Sequence, residues 1–205
     1  MVQDLPYLRE TASQTAGPYV HIGLAPGAAG FHTFETELGQ ALAPAGVAGP
    51  RVTIEGCVYD GLGAPVKDIL IEVWQADPQG IYPHPEDPRF AQCTAGFRGW
   101  GRVISDFDSG QFCFETLRPG AVAGRAGRMQ APHLNLWLVS RGINIGLNTR
   151  MYFPEDQDAH ATDPVLASIE QRARAATLIA VATGPDSYRF DIHLQGAAET
   201  VFIDI

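Results

Sequence analysis

Short runs of alternating apolar and polar residues constrain this chain more than any other feature of its sequence. Residues 133–139 (HLNLWLV) place Leu134, Leu136 and Leu138 on one face of an extended chain, and residues 111–117 (QFCFETL) alternate in the same way. A period of two is typical of strands with one buried face. Further β-branched or aromatic runs cover residues 52–59, 69–75, 149–153, 188–194 and 200–205. These short strands predict an all-β fold, an antiparallel β-sandwich.

The two ends of the chain depart from this strand pattern. Residues 1–50 are rich in Gly, Ala, Pro and Thr and show no sustained period, which predicts an irregular N-terminal arm. Near the other end, Asp163 can cap a helix and Pro164 suits its first position. The apolar residues that recur there at helical spacing are Leu166, Ile169, Ala173, Ala176 and Ala180. We expect a single domain over residues 1–205, with the sandwich at 51–205 and one short helix near the C-terminus.

Composition and charge argue against several classes of function. The formal net charge is −9 and the 14 Lys and Arg residues are scattered, which disfavours a nucleic-acid partner. No apolar run approaches the roughly 18 residues that indicate a membrane span, and the charged N-terminus is unlike a secretory signal. We therefore expect a soluble, cytoplasmic protein. Cys57, Cys93 and Cys113 form no C-x-x-C pair, and we expect them to be buried free thiols.

Local motifs for catalysis or metal binding are absent from the sequence. There is no G-x-S-x-G, no H-E-x-x-H, no P-loop and no dinucleotide-binding G-x-G-x-x-G. No two of the six histidines are close neighbours in sequence, so no local pair of imidazoles offers a metal chelate. A metal site would have to be assembled from distant strands.

A series of motifs, in order along the chain, resembles the intradiol ring-cleaving dioxygenases. The motifs are LIEVWQAD at 70–77 with GIY at 80–82, DFDSGQF at 106–112, RPG at 118–120, APHLN at 131–135 and MYF at 151–153. The resemblance extends from near residue 10 to the C-terminus. It implies a sandwich of the intradiol dioxygenase, prealbumin-like type. It also implies O2-dependent opening of an aromatic ring between its two hydroxyl-bearing carbons.

In that family a ferric ion is held by two tyrosines and two histidines, because hard phenolate oxygens stabilise Fe(III). The resemblance places the four ligand positions at Tyr82, Val122, His133 and Asn135. Valine supplies no oxygen or nitrogen, and the second histidine is lost to Asn135. Since a metal site needs its ligand number and geometry together, we expect no metal in this chain. Tyr82 and His133 are then interpreted as a packed pair with hydrogen-bonded polar tips.

A degenerate metal site is similar to that of the heteromeric members of the family, which act on protocatechuate through α and β chains of similar fold. The resemblance to the α type includes SQTAGPY at 13–19 and SRGINI at 140–145. It implies a partner β chain that binds the Fe(III) cofactor, within a higher-order (αβ)n oligomer. The implied substrates are protocatechuate and O2, and the implied product is 3-carboxy-cis,cis-muconate of the β-ketoadipate pathway. Neither nucleic acid nor membrane is implied as a partner.

The same resemblance implies substrate-binding residues at the contact with the β chain. In the arm these are Thr15, Gly17, Pro18 and Tyr19, which are expected to wall the active site. Arg141 is the candidate for the aromatic carboxylate of the substrate, since a guanidinium pairs well with a planar carboxylate. A solvated strand-end charge or an interface salt bridge is the alternative interpretation of Arg141.

Two other functions stay open from the sequence alone. A self-sufficient catechol or hydroxyquinol dioxygenase, acting as a homodimer, would need the ligands that Val122 and Asn135 have replaced. A non-enzymatic, transthyretin-like binding module would reuse an aromatic pocket for carriage. Iron bound by the chain alone would indicate the self-sufficient dioxygenase. Independence of any partner chain would indicate the binding module.

Overall fold

Two β-sheets packed face to face form the body of the chain in the computed structural model, which describes residues 14–36, 39–124 and 127–204. In chain order the strands are β1 (Arg51–Tyr59), β2 (Leu70–Trp74), β3 (Trp100–Ile104), β4 (Gln111–Leu117), β5 (Val122–Ala123), β6 (Met129–Gln130), β7 (His133–Val139), β8 (Leu147–Tyr152), β9 (Val181–Gly184), β10 (Ser187–Arg189) and β11 (Ile192–His193). The predicted all-β sandwich is confirmed.

The strand order defines two main sheets and one short strand pair. In the first sheet β1 lies between β4 on one side and β10 and β11 on the other, and β9 pairs with β10. The second sheet has the order β3-β2-β7-β8, and β5 pairs with β6. The pairing of β1 with β10 and β11 is parallel, which the prediction of an antiparallel sandwich did not include. Alternation of apolar residues indicates which face is buried, but it does not indicate the direction of the neighbouring strand.

The core lies between the two main sheets, as the alternation along β7 predicts. Leu134, Leu136 and Leu138 are buried there and belong to the same cluster as Ile54 and Phe112 of the first sheet. Each such side chain contributes roughly 2 kcal/mol through removal of apolar surface from water. The alternate residues of β7 therefore lie on the outer face of the second sheet, which is where the candidate site is found.

Helices are short in the described part of the chain. They are α1 (Val20–Leu24), α2 (Gln157–Thr162) and α3 (Pro164–Ser168), with 3₁₀ turns at Phe90–Gln92 and Arg172–Leu178. Two helices, rather than the single one predicted, thus lie near the C-terminus.

The helix predicted from Pro164 onward ends sooner than its apolar spacing suggests. Ile169 already has an extended backbone, with ψ 113°, and a 3₁₀ turn follows. The chain then returns to β8, where the amide of Ala180 donates to the carbonyl of Tyr152 at 2.9 Å. A continuous helix could not also form this extended contact, so tertiary pairing overrides the local periodicity.

Some predicted and observed strands also differ. Residues 200–204 do not form the predicted strand, although the amide of Ile203 donates to the carbonyl of Asn148 at 2.8 Å. The predicted strand at 188–194 is divided into β10 and β11. Strands β3 and β9 were not predicted, because β3 contains a glycine and β9 is exposed along its whole length.

The segment predicted as an arm contacts the sandwich over part of its length. Leu42 is buried within the main core, and the carbonyl of Gly39 accepts a hydrogen bond of 2.9 Å from the amide of Arg102. The division of the chain at residue 50 stays a prediction. No helix among the described residues is long and apolar enough to cross a membrane.

The prediction that all three cysteines are buried is wrong for two of them. All three are free thiols, but only Cys57 is buried, while Cys93 is half-buried and Cys113 is exposed. Cys113 lies on the outer side of β4, where alternate residues face solvent. Burial raises the pKa of Cys93 to about 11, so its thiol is protonated at neutral pH.

Asp163 connects α3 to the segment that leads into β7. The carboxylate is fully buried, and it accepts hydrogen bonds from the amides of Val165, Leu166 and Ala131 at 2.7, 2.9 and 2.8 Å. The predicted helix cap is therefore confirmed. The same side chain also fixes the backbone two residues before His133.

Replacement of this carboxylate tests its structural role. Asp163→Ala leaves three backbone amides without their acceptor, and we expect the free energy of unfolding to fall by about 3 kcal/mol or more. Asp108→Ala, at an exposed carboxylate, is the control and should change it by less than about 0.5 kcal/mol. Urea unfolding of the three proteins measures both effects, and equal losses in the two variants would contradict this role.

Candidate functional site

We call the four positions that the sequence analysis assigned to iron ligands the vestigial site (Tyr82, Val122, His133 and Asn135); the assignment itself stays a prediction. Among them Tyr82 and Asn135 are in direct contact. His133 and Asn135 lie two residues apart on β7 and therefore share its outer face. Asn135 pairs with Trp74 of β2, and the loop after β2 carries Tyr82. Val122 lies in β5 and is buried.

A turn after β2 determines where Tyr82 lies. Buried Asp77 accepts hydrogen bonds from the amides of Gln79 and Ile81, both at 2.9 Å, and its carbonyl accepts one from the amide of Gly120. Gly80 has φ +72°, and a side chain there would meet the carbonyl oxygen of Ala121 at 1.9 Å. Only glycine suits this close approach, which holds the Tyr82 loop against the segment that precedes Val122.

Tyr82 is a neutral phenol packed against an indole. Its ring stacks on that of Trp74, with 5.5 Å between centroids and 13° between planes. The hydroxyl accepts a hydrogen bond from Nδ2 of Asn135 at 3.4 Å. Burial raises the pKa of Tyr82, and this donated hydrogen bond opposes the rise only in part. Tyr82 therefore presents no phenolate at neutral pH.

Arg150, which the sequence analysis missed, lies opposite Asn135 on the neighbouring strand β8. Its Nε donates to Oδ1 of Asn135 at 3.0 Å, and its Nη1 donates to Oε1 of Gln130 at 2.6 Å and to the hydroxyl of Tyr152 at 3.4 Å. A guanidinium thus lies beside the vestigial site. The sequence signal that could have identified Arg150 is its position two residues before Tyr152 of the MYF motif. Residues two apart in a strand face the same side of the sheet.

His133 is buried and uncharged. Its Nδ1 lies 2.7 Å from the carbonyl of Ala131, and its ring lies 5.7 Å from that of Tyr152. Burial, with Arg150 acting in the same direction, lowers the pKa of His133 to about 4. Its Nε2 is buried without a hydrogen-bond partner among the described residues. The interpretation of Tyr82 and His133 as a packed pair is not supported, because each ring packs on a different partner.

The residues of the vestigial site do not fit a ferric ion. Val122 offers no donor atom. Asn135 is occupied at both ends, since its Nδ2 donates to the carbonyl of Trp74 at 3.1 Å and to the hydroxyl of Tyr82 at 3.4 Å, while its Oδ1 accepts from Arg150. A guanidinium beside these groups would repel a metal cation. No cluster of three or more His, Cys, Asp or Glu side chains suited to a metal occurs in the described ranges.

The arm residues singled out from the sequence lie beside Arg141. Oγ1 of Thr15 donates to the carbonyl of Ile143 at 3.1 Å, and Ala16 forms a parallel bridge with Arg141. Gly17, Pro18 and Tyr19 are exposed, and Tyr19 retains 74% of its accessible surface. Ser13 lies outside the described residues.

Arg141 forms a salt bridge within the chain. Its Nε lies 2.6 Å from Oδ2 of Asp68, while 58% of its side chain remains exposed. This ion pair within the chain was not among the interpretations of Arg141 made from the sequence, and the interface salt bridge stays a prediction. Its Nη1 and Nη2 have no protein partner among the described contacts, so the guanidinium keeps two nitrogens for a carboxylate.

Thr15 and Ala16 lie at the opposite end of β7 from the vestigial site. His133 begins the strand and Arg141 follows its end. At about 3.3 Å per residue, the two positions are separated by roughly 25 Å along the sheet. Thr15 and Ala16 are therefore remote from the vestigial site of their own chain.

Comparisons of the sequence agree with this geometry. A family model described as "Dioxygenase" matches residues 32–196. The chain is 47% identical over 200 residues to the protocatechuate 3,4-dioxygenase alpha chain of Pseudomonas putida, which covers 96% of this chain and 97% of the relative. It is also 32% identical over 160 residues to the beta chain of the protocatechuate 3,4-dioxygenase of Burkholderia cepacia, over 74% of this chain and 67% of the relative.

A solved structure shows the same fold. Catechol 1,2-dioxygenase from an Acinetobacter species superposes with a TM-score of 0.55 at 20% identity, over 75% of this chain and 55% of that chain. Together, the sandwich, the order of the motifs around the vestigial site and the family match over most of its length show that this chain belongs to the intradiol ring-cleaving dioxygenase family.

Proposed function

We propose that this chain is the α-type subunit of a protocatechuate 3,4-dioxygenase, in which a β-type partner chain binds Fe(III). The observation that carries the proposal is the substitution of two ligand positions by Val122 and Asn135, with Arg150 bonded to Asn135. A member of this family without a metal site cannot perform the ring cleavage alone. Its similarity to an alpha chain, and its weaker similarity to a beta chain, support a heteromer of two related subunits.

The arm and Arg141 are proposed to complete the partner's active site. Thr15, Ala16 and Arg141 lie far from the vestigial site. Gly17, Pro18 and Tyr19 expose their surface to solvent. Thr15 and Tyr19 offer hydroxyl groups, and Gly17 has open space around its Cα. A substrate held in the partner chain could therefore contact these residues without any rearrangement of the sandwich.

The carboxylate of protocatechuate is the proposed partner of Arg141. Asp68 forms an ion pair at Nε, which leaves the two terminal nitrogens of Arg141 for a planar anion. The charge is needed locally, because the chain as a whole carries a net charge of −9 and would repel an anionic substrate.

The assembly and its location are also proposed. A higher-order (αβ)n oligomer would repeat the contact between arm and partner. Free Cys57, Cys93 and Cys113 are consistent with a reducing compartment, and we propose the cytoplasm.

The proposed reaction joins O2 to protocatechuate and gives 3-carboxy-cis,cis-muconate, in the β-ketoadipate pathway.

Iron content and activity test the subunit assignment. The chain purified alone should contain no stoichiometric iron and should not cleave protocatechuate, whereas co-expression with a β-type chain should give an iron-bearing, active complex. Metal analysis and O2 uptake measure both properties. Stoichiometric iron and turnover in the lone chain would support a self-sufficient dioxygenase, and inactivity of a well-formed complex would favour a binding module.

Kinetics of an Arg141 variant test the carboxylate role. In the assembled enzyme, Arg141→Ala should raise KM for protocatechuate about tenfold, since a charge-assisted hydrogen bond contributes roughly 1.5 kcal/mol or more. KM for catechol, which has no carboxylate, should change little. Arg174→Ala, which removes an exposed salt bridge to Glu199, is the matched control and should leave both KM values unchanged. Equal rises for the two substrates would contradict the proposed role of Arg141.

A further inference from the structure

A cavity of about 300 Å³ opens on the outer face of the second sheet, beside the vestigial site. Its walls come from adjacent strands, and all three tryptophans of the chain contribute to them. We call it the tryptophan pocket (Trp74, Trp100, Trp137, Glu72, Asn148 and Arg150). Its volume is at the lower end of the range of small-molecule sites, which suits a ligand with a single ring.

The charges of the tryptophan pocket leave one cation uncompensated. Glu72 is neutralised by Arg102, whose Nε lies 2.7 Å from its carboxylate. Arg150, in contrast, donates only to neutral groups, namely the amide oxygens of Asn135 and Gln130 and the hydroxyl of Tyr152.

Arg150 has no carboxylate within ion-pair distance in the described part of the chain, and its Nη2 donates to no described protein atom. The side chain is nevertheless half-buried. The buried carboxylate of Asp163 reaches Arg150 only through the hydroxyl of Tyr152. A partly desolvated charge without a directly bound counter-ion is unfavourable, so a site of this kind favours an anionic ligand.

The walls of the pocket indicate the shape of that anion. Trp74, Trp100 and Trp137 remain half-buried rather than fully enclosed, so each keeps indole surface available. Trp137 is held in place by Gly146, where any side chain would collide with its indole. Flat aromatic walls favour a flat aromatic partner in stacked or edge-to-face contact.

We propose that the tryptophan pocket binds a small aromatic carboxylate, with its ring between the indoles and its carboxylate on Arg150. Thr15, Ala16 and Arg141 lie beyond the other end of β7, so the pocket shares no residue with them. The proposal does not depend on the subunit assignment, since every group that it uses belongs to this chain.

Binding of benzoate, with benzamide as its neutral analogue, tests the proposal in the assembled complex and in the lone chain. Benzoate should quench indole fluorescence and bind at least tenfold more tightly than benzamide. By calorimetry the wild-type complex should bind one more benzoate per αβ pair than the Arg150→Gln complex, which separates this pocket from any iron-bearing site.

Two further variants test whether the effect of Arg150→Gln comes from the lost charge or from a change in structure. Asn148→Asp is isosteric and places a carboxylate on the same strand face two residues from Arg150; it should weaken benzoate binding about tenfold without unfolding the protein. Arg174→Gln, at a distant paired arginine, is the control and should bind benzoate as the wild type does. Circular dichroism verifies that each variant is folded.

Three results would overturn the proposal. Equal binding of benzoate and benzamide would show that charge is not recognised, and undiminished binding by folded Arg150→Gln would exclude Arg150 as the anion site. Binding to the lone chain but not to the complex would show that a partner carboxylate occupies the pocket in place of a small molecule.

Discussion

The hydrogen bond from Arg150 to Asn135 determines what the outer face of the second sheet can bind. The two residues lie opposite each other on β8 and β7, so the ordinary register of the sheet brings them together at 3.0 Å. Through it, a guanidinium is fixed beside Tyr82 and Asn135. A positive charge at this place favours an anion over a metal cation.

Separate sets of contacts hold the two ends of β7 in place. At one end, the Asp77 turn and Gly80 fix the Tyr82 loop, and Asp163 fixes the backbone before His133. At the other end, the arm pairs with Arg141 and leaves its polar surface exposed. The sandwich core lies between the two ends, so a change at one end leaves the other intact.

Much of the fold follows from local sequence pattern, and the failures have physical causes. The bounds of β4 and β7 were predicted correctly, because strict alternation distinguishes a half-buried strand from other structures. The parallel pairing of β1 was missed, since alternation contains no information on the direction of a neighbour. The helix after Pro164 ended early because the chain returns to pair with Tyr152.

The site was predictable only in part. That Val122 and Asn135 stand at positions of lost ligands is predicted from the family resemblance, and it stays a prediction. The role of Arg150 was not predictable, because it depends on the register between β7 and β8, which the sequence does not state.

Anomalous diffraction at the iron absorption edge, recorded from crystals of the assembled complex, would locate the iron directly. We expect one iron peak per αβ pair, in the partner chain, and no peak between Tyr82 and His133. An iron peak at the vestigial site would contradict this expectation.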